Sequence, residues 1–148
     1  MEKLTALCCL WISGFCGKDD YERELDRQFL ENPESDLLLE LEGLCGDERG
    51  TLSKLARCIN DANEDEFGRE LFSRLERYYG ETEDIMSFGR LADRLRETLI
   101  FVLPFETVNS EPYYSLDFAV EELDPGFGDV FRARKLFQTA FDYYKENT

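Results

Sequence analysis

The chain has 148 residues, with 33 Asp and Glu against 17 Lys and Arg, no histidine, and a formal net charge of −16. Without histidine it cannot use Ser-His or Cys-His activation of a nucleophile, and it cannot build the His-containing zinc sites of most zinc hydrolases. A surface this acidic repels nucleic acid and anionic lipid and attracts cations, so the composition favours binding of a basic protein over catalysis.

The composition also indicates one folded domain spanning residues 1–148. Hydrophobic residues make up 43% and aromatic residues 14% of the chain, too many for a disordered acidic tail. A chain of this length buries about two-thirds of the surface that its unfolded form exposes, which is enough for a core without disulfide or metal support. We therefore expect the charge to lie on a folded body that needs no cofactor.

The run from Leu4 to Cys16 is almost entirely apolar and allows two interpretations. One is a secretory signal, but no small-x-small cleavage site follows, and Phe15 stands where a lipoprotein signal has a small residue. The run is also shorter than the roughly twenty residues of a membrane span. The other interpretation is a buried first helix, which we favour because the apolar residues recur with helical spacing. The common face of this helix holds Leu4, Leu7, Cys8, Trp11 and Phe15.

Helical spacing continues in the next two segments. The second helix ends before the pair Asn32-Pro33, because proline disfavours helix in the residue ahead of it. Ser35 or Asp36 can cap the third helix, and the glycine-rich stretch 43–50 then predicts a helix connection. The apolar faces of these helices hold Tyr21, Leu25 and Phe29, and then Leu37, Leu38, Leu41 and Leu44.

Three more helices are predicted before Pro104. In the fifth helix of the chain, Asn63 and Glu66 resemble a capping box at the start, and Gly80 marks the end. The sixth follows Thr82 and has the longest clean apolar stripe, which predicts a central helix. The faces of these three helices hold Leu52, Leu55, Ala56 and Ile59; Phe67, Leu71, Leu75, Tyr78 and Tyr79; and Ile85, Phe88, Ala92, Leu95 and Leu99.

The last third of the chain predicts a loop and two helices. Residues 101–110 mix β-branched, aromatic and turn residues, and we expect a loop there. A short helix with Tyr114, Phe118 and Leu123 closes at the turn Asp124-Pro125-Gly126. A terminal helix carries Val130, Ala133, Phe137, Ala140, Phe141 and Tyr144. The fold class is therefore all-α, a compact bundle or α-hairpin stack of seven or eight helices.

The motifs of metal and nucleotide sites are not matched. The cysteines Cys8, Cys9, Cys16, Cys45 and Cys58 form no CxxC pair, and we expect mostly buried free thiols in the reducing cytoplasm. A zinc site on the first three of them is the alternative. The stretch 61–65 begins like a calcium loop, but Glu66 and Phe72 occupy the positions that need Gly and Glu. The glycines between 43 and 50 match no phosphate-binding motif.

Three acidic clusters are the candidate partner-binding sites. Two of them lie at predicted helix starts, where the helix dipole already favours negative charge. The third lies at a helix end, where the dipole disfavours it, and that placement is better evidence of a binding role. The clusters are Asp61, Glu64, Asp65 and Glu66; Glu81, Glu83 and Asp84; and Glu121, Glu122 and Asp124.

The middle of the chain, roughly residues 36–100, resembles a known family. The residues that carry the likeness are Asp36-Leu37-Leu38-Leu39-Glu40-Leu41-Glu42, Gly46-Asp47, Thr51-Leu52-Ser53 and Glu64-Asp65-Glu66-Phe67. This pattern is similar to small acidic immunity proteins of bacterial contact-dependent growth inhibition and related toxin systems. The resemblance implies a non-enzymatic cytoplasmic protein that binds a cognate toxin domain and masks its active site. We expect this protein to be a monomer or weak dimer.

Two other classes of function remain open. An acidic secretion chaperone or helical adaptor is also small and acidic, but it commonly dimerises and holds an unfolded segment in an apolar groove. An enzyme with a carboxylate-only metal site is the other alternative, since Asp and Glu bind magnesium or manganese in helical bundles.

Overall fold

The computed structural model describes residues 1–59, 63–126 and 128–146, and every regular element within these ranges is helical. The all-α class is therefore confirmed, with nine helices in the described ranges where seven or eight were predicted. They are α1 (Glu2–Ser13), α2 (Lys18–Glu31), α3 (Asp36–Gly43), α4 (Glu48–Ala56), α5 (Glu64–Glu81), α6 (Ile85–Val102), α7 (Phe105–Val108), α8 (Tyr113–Glu121) and α9 (Val130–Glu146).

The additional helix is α7, a single turn inside the stretch that was predicted to be a loop. It begins directly after Pro104, which occupies its N-cap position. A proline at a helix start loses no helical hydrogen bond, because the first N–H groups have no partner within the helix. The same residue therefore ends the long pattern of α6 and starts a new turn.

Helix α1 lies between two apolar clusters and contributes to both. Ala6, Cys9 and Leu10 pack with residues of α5, α6, α8 and α9, whereas Leu7 and Cys8 pack with residues of α2, α3 and α4. A helix that is apolar on every side is one that is buried on every side, which confirms the predicted buried first helix. No helix in the described ranges is both long and apolar enough to span a membrane.

Aromatic rings join α5, α6 and α9 in the larger cluster. The rings of Phe88 and Phe137 meet edge to face, with centroids 5.2 Å apart. Tyr79 contacts both rings, at 5.2 and 5.5 Å. Ring pairs of this kind add about 0.5–1.5 kcal/mol beyond the burial of their area. They hold α6 in place, and α6 in turn contacts α7 and α8.

The predicted starts of α3 and α5 are right in position, but only that of α3 has the expected chemistry. The Ser35 hydroxyl accepts a hydrogen bond from the Leu38 N–H at 3.2 Å, as expected of an N-cap. Asn63 does stand at the N-cap of α5, but the expected capping box does not form. Its amide instead donates to the Cys58 carbonyl at 3.1 Å, so the side chain ties the helix to the preceding connection.

The connection predicted over residues 43–50 is shorter in the structure. Helix α3 continues through Gly43, and α4 already begins at Glu48. The Asp47 carboxylate caps α4 by accepting a hydrogen bond from the Gly50 N–H at 2.9 Å. The glycine pattern masked this start, because Gly50 lies in the first turn of a helix.

The five cysteines are free thiols, as expected, but fewer of them are buried than expected. Cys8 and Cys9 are fully buried in α1, Cys16 and Cys58 are half-buried, and Cys45 is exposed. Burial raises the pKa of Cys8 to about 12, so this thiol behaves as a small apolar side chain. The N-terminal pair therefore serves packing.

Candidate protein-binding surface

The first acidic cluster is partly used within the fold. Asp61 lies outside the described residues. The Thr107 hydroxyl donates to the Glu64 carboxylate, 3.1 Å from each oxygen, and so ties α7 to the first turn of α5. Asp65 and Glu66 are exposed, with Glu66 only 3.8 Å from Arg69. Glu64 therefore stabilises local structure, whereas Asp65 and Glu66 remain exposed.

The second cluster is also divided by the fold. Asp84 caps α6 by accepting hydrogen bonds from the Ser87 hydroxyl at 2.7 Å and the Met86 N–H at 3.0 Å. The bond from Ser87, followed by that from the backbone, lowers the pKa of Asp84. Glu81 belongs to the end of α5, so the prediction that it lies at the start of α6 is wrong. Glu83 is exposed between the two helices.

The third cluster has two members that remain available. The Glu122 carboxylate accepts a hydrogen bond from the Asp129 N–H at 2.9 Å and one from Arg132 at 3.4 Å, so it holds the start of α9. Glu121 and Asp124 are exposed, and neither carboxylate forms a hydrogen bond or ion pair with another described residue. Both line clefts beside α6.

The described members of the three clusters do not form one patch. Glu121 lines a cleft together with residues of α6, α7 and α8, and Glu64 is bound to α7 next to that cleft. Glu81, in contrast, lines a separate small cleft beside Phe15 and Tyr78. The structure thus associates members of the first and third clusters with one region, α6 to α8, and leaves Glu81 apart from it.

That region coincides with a segment of the sequence that has no positive charge. Between Arg96 and Arg132 the chain contains no Lys or Arg, although it has eight carboxylates. They are Glu97, Glu106, Glu111, Asp117, Glu121, Glu122, Asp124 and Asp129. This local absence of Lys and Arg is visible in the sequence, but the positions of the acidic clusters alone do not reveal it.

The same segment carries most of the exposed apolar side chains. Nine large apolar residues are exposed among the described residues, and seven of them lie between positions 100 and 131. The seven are Ile100, Phe101, Phe105, Tyr114, Phe118, Val130 and Phe131. The other two are Leu30 and Leu39. Contiguous exposure of apolar side chains marks interaction surfaces, and two of the seven, Ile100 and Phe105, line one cleft.

Tyr114 and Phe118 belong to this exposed set although they suggested the packed face of a short helix. Their rings contact each other, with centroids 4.6 Å apart, on the outer side of α8. The buried face of α8 is formed instead by Tyr113, Leu116 and Ala119. Both faces have helical spacing, so the periodicity identified the helix and not the direction in which it packs.

A cleft of about 360 Å³ lies between α6, α7 and α8. Its apolar lining includes Ile100 and Phe105, and its acidic lining includes Asp117 and Glu121. A second cleft of about 450 Å³ shares Glu121 and Arg96 with it and extends to Asp124. The two therefore adjoin along α6 and α8. We call the first the α6–α8 cleft.

The cation in the α6–α8 cleft is already neutralised. Arg96 pairs with Asp117 across the two helices and with Asp93 on its own helix at 3.1 Å. Four carboxylates of the segment have no hydrogen bond or ion pair with any described residue, and these are Glu97, Glu106, Glu121 and Asp124. The electrostatic potential around the cleft is consequently negative.

Groupings for metal chemistry do not occur in the part of the chain that the structure describes, where no three His, Cys, Asp or Glu residues are placed to hold a metal ion. The lining of the α6–α8 cleft combines apolar side chains with carboxylates.

Comparison of the chain with protein-family models, with curated proteins and with solved structures finds no match.

Proposed function

We propose that the protein binds a cognate basic toxin domain and neutralises it by masking the active site, as an immunity protein in the cytoplasm. The observation that carries this proposal is the uncompensated negative charge, −16 over the chain, together with carboxylates that the fold leaves unused around an exposed apolar cleft. The proposed activity requires contact alone and no bond-making chemistry.

The physical basis is electrostatic complementarity. A toxin that cleaves nucleic acid needs positive charge where the phosphates lie. Carboxylates presented by a rigid helical body can occupy that groove in place of the phosphates, and opposite charges steer the two proteins together. Glu121 and Asp124 are suited to this role because their carboxylates are exposed and have no hydrogen bond or ion pair with a described residue that would have to break.

The test uses the purified protein and the toxin domain encoded by the neighbouring gene. Association is measured at about 0.01 M and about 1 M salt, where the Debye length is about 30 Å and 3 Å. We expect the association rate to fall at least about tenfold at the higher salt. We also expect one equivalent of the protein to abolish toxin activity. Absence of a complex, association indifferent to salt, or a complex with an active toxin would contradict the proposal.

The exposed apolar cleft favours a second candidate, an acidic secretion chaperone or adaptor. Such a protein holds an extended or helical segment in an apolar groove, and Phe105 and Ile100 offer side chains for that contact. Light scattering separates the two candidates. A homodimer that captures an unfolded segment would favour the chaperone, and a monomer that binds only a folded domain would favour the immunity protein.

A further inference from the structure

We infer that the α6–α8 cleft is the docking surface, and that it receives a protein segment carrying a bulky apolar side chain flanked by Lys or Arg. This inference rests on the proposed function for the positive charge of the partner, but it places the contact on a different surface from the one predicted from the sequence. The candidate docking surface is no longer the acidic clusters at the helix starts but the α6–α8 cleft, which combines apolar and acidic groups.

The apolar centre of the surface is unusually open to solvent. Phe105 is 81% exposed and Ile100 is 59% exposed, and both line the cleft. Covering side chains of this size removes apolar surface from water and therefore favours binding. The cleft volume of about 360 Å³ lies at the lower end of the range for small-ligand pockets. It therefore suits a single anchoring side chain rather than a folded domain.

The charge around the cleft determines which partner can cover it. A second copy of the chain would bring two cation-free acidic segments together, and like charges placed opposite each other destabilise an interface. Nucleic acid and anionic lipid are repelled for the same reason. A segment with Lys or Arg beside its apolar anchor is instead attracted by Glu106, Glu121 and Asp124 while the anchor covers Phe105.

The two properties have different consequences for binding. The carboxylates should set the association rate and its dependence on salt, because rim charges act mainly through steering. The apolar side chains should set the lifetime of the complex, because central buried contacts supply most of the affinity. We therefore expect a peptide that has only positive charge, or only apolar side chains, to bind this surface weakly.

Three fluorescein-labelled peptides serve as probes. The first is an amphipathic helix of Leu and Lys, the second has its Leu residues replaced by Ser, and the third has its Lys residues replaced by Glu. Binding to the full chain is measured by fluorescence anisotropy. We expect the Leu–Lys peptide to bind at least about tenfold more tightly than either of the others, since each factor of ten needs only about 1.4 kcal/mol.

Matched variants locate the binding. Phe105→Ser removes a side chain that is 81% exposed in the cleft, and Leu30→Ser removes one that is also 81% exposed, on α2. Ile100→Ser and Leu39→Ser form a second pair, at 59% and 60% exposure. Because all four side chains are exposed, none of the changes should disturb the fold, and circular dichroism checks this.

We expect the double variant Phe105→Ser with Ile100→Ser to bind the Leu–Lys peptide at least about tenfold more weakly than the wild type. The control double variant, Leu30→Ser with Leu39→Ser, should change the affinity less than about twofold. Glu121→Gln with Glu106→Gln should reduce the salt dependence of the association rate. Equal loss in the cleft and control variants, or no binding of the Leu–Lys peptide, would overturn the inference.

The peptide and toxin experiments fail separately. If the toxin domain binds but the cleft variants bind it like the wild type, the docking surface is wrong and the proposed function stands. If the peptide experiment succeeds and the toxin domain does not bind, the surface stands and the proposed partner is wrong.

Discussion

Gly68, in the second turn of α5, lets α9 approach closely. A Cβ added at this residue would lie 2.6 Å from Cε2 of Tyr144 and closer still to its hydroxyl oxygen. The Tyr144 ring cannot easily move aside, because it contacts Phe72, with centroids 6.2 Å apart, and the Arg69 guanidinium, 5.6 Å from its centroid. Gly68→Ala therefore sets a gain in helix propensity against a steric overlap.

The overlap is the larger of the two effects. Ala is favoured over Gly in a helix interior by about 0.5–1 kcal/mol, whereas extra atoms in a packed core cost about 1–3 kcal/mol. We expect Gly68→Ala to lower the free energy of unfolding by about 1 kcal/mol net. For a chain of this size that lowers the Tm by roughly 3 °C. Gly80, on the same helix, has no atom within 4 Å of an added Cβ, so Gly80→Ala should raise the Tm.

Differential scanning calorimetry of both variants and of Tyr144→Ala tests this reasoning. In the Tyr144→Ala background the overlap is gone, so Gly68→Ala should become stabilising, and the double-mutant cycle should show a coupling of about 1 kcal/mol or more. A Gly68→Ala protein that melts at or above the wild-type Tm would refute the assigned contact between α5 and α9.

Two further predictions concern titratable groups. Burial, followed by a hydrogen bond and like charge from Asp26, raises the pKa of Glu42 above 4.5. Protonated Glu42 therefore stabilises the fold at acid pH, and this contribution is lost as the pH rises through its folded-state pKa. Glu42→Gln should therefore raise the free energy of unfolding at neutral pH by about 0.5 kcal/mol, and urea midpoints that match the wild type there would contradict this. Burial, followed by like charge from Glu42, raises the pKa of Cys45, but this thiol is exposed, so it should react with Ellman's reagent in the folded protein, and buried Cys8 and Cys9 only after unfolding. Loss of the fast phase in Cys45→Ser is the check.

Most of the helices were predictable because their apolar residues repeat with a clear period. The stripe from Phe88 to Leu99 lies on the buried face of α6, and Ser35 caps α3 as its position before the leucine run suggested. The prediction of the packed face failed where residues on two faces of one helix both have helical spacing. Tyr114 and Phe118 share a face of α8, but another face of the same helix is the one that packs.

The binding surface was only half predictable. The absence of Lys and Arg between Arg96 and Arg132 is present in the sequence, and it marks the segment without any structure. The cleft was not predictable, because it depends on the single turn α7 placing Phe105 beside Ile100. Glu64 illustrates the opposite case, since its hydrogen bond from Thr107 joins residues that no local pattern connects.

The position of α1 between two clusters bears on how the protein unfolds. Cys8 and Leu10 lie on different sides of one helix, and each side closes a different cluster. Neither cluster can lose α1 without uncovering the other, so the two are thermodynamically coupled. The chain should therefore melt as one cooperative unit, with equal calorimetric and van't Hoff enthalpies. The shape of the α6–α8 cleft then depends also on α1, which contacts α6 but does not line the cleft.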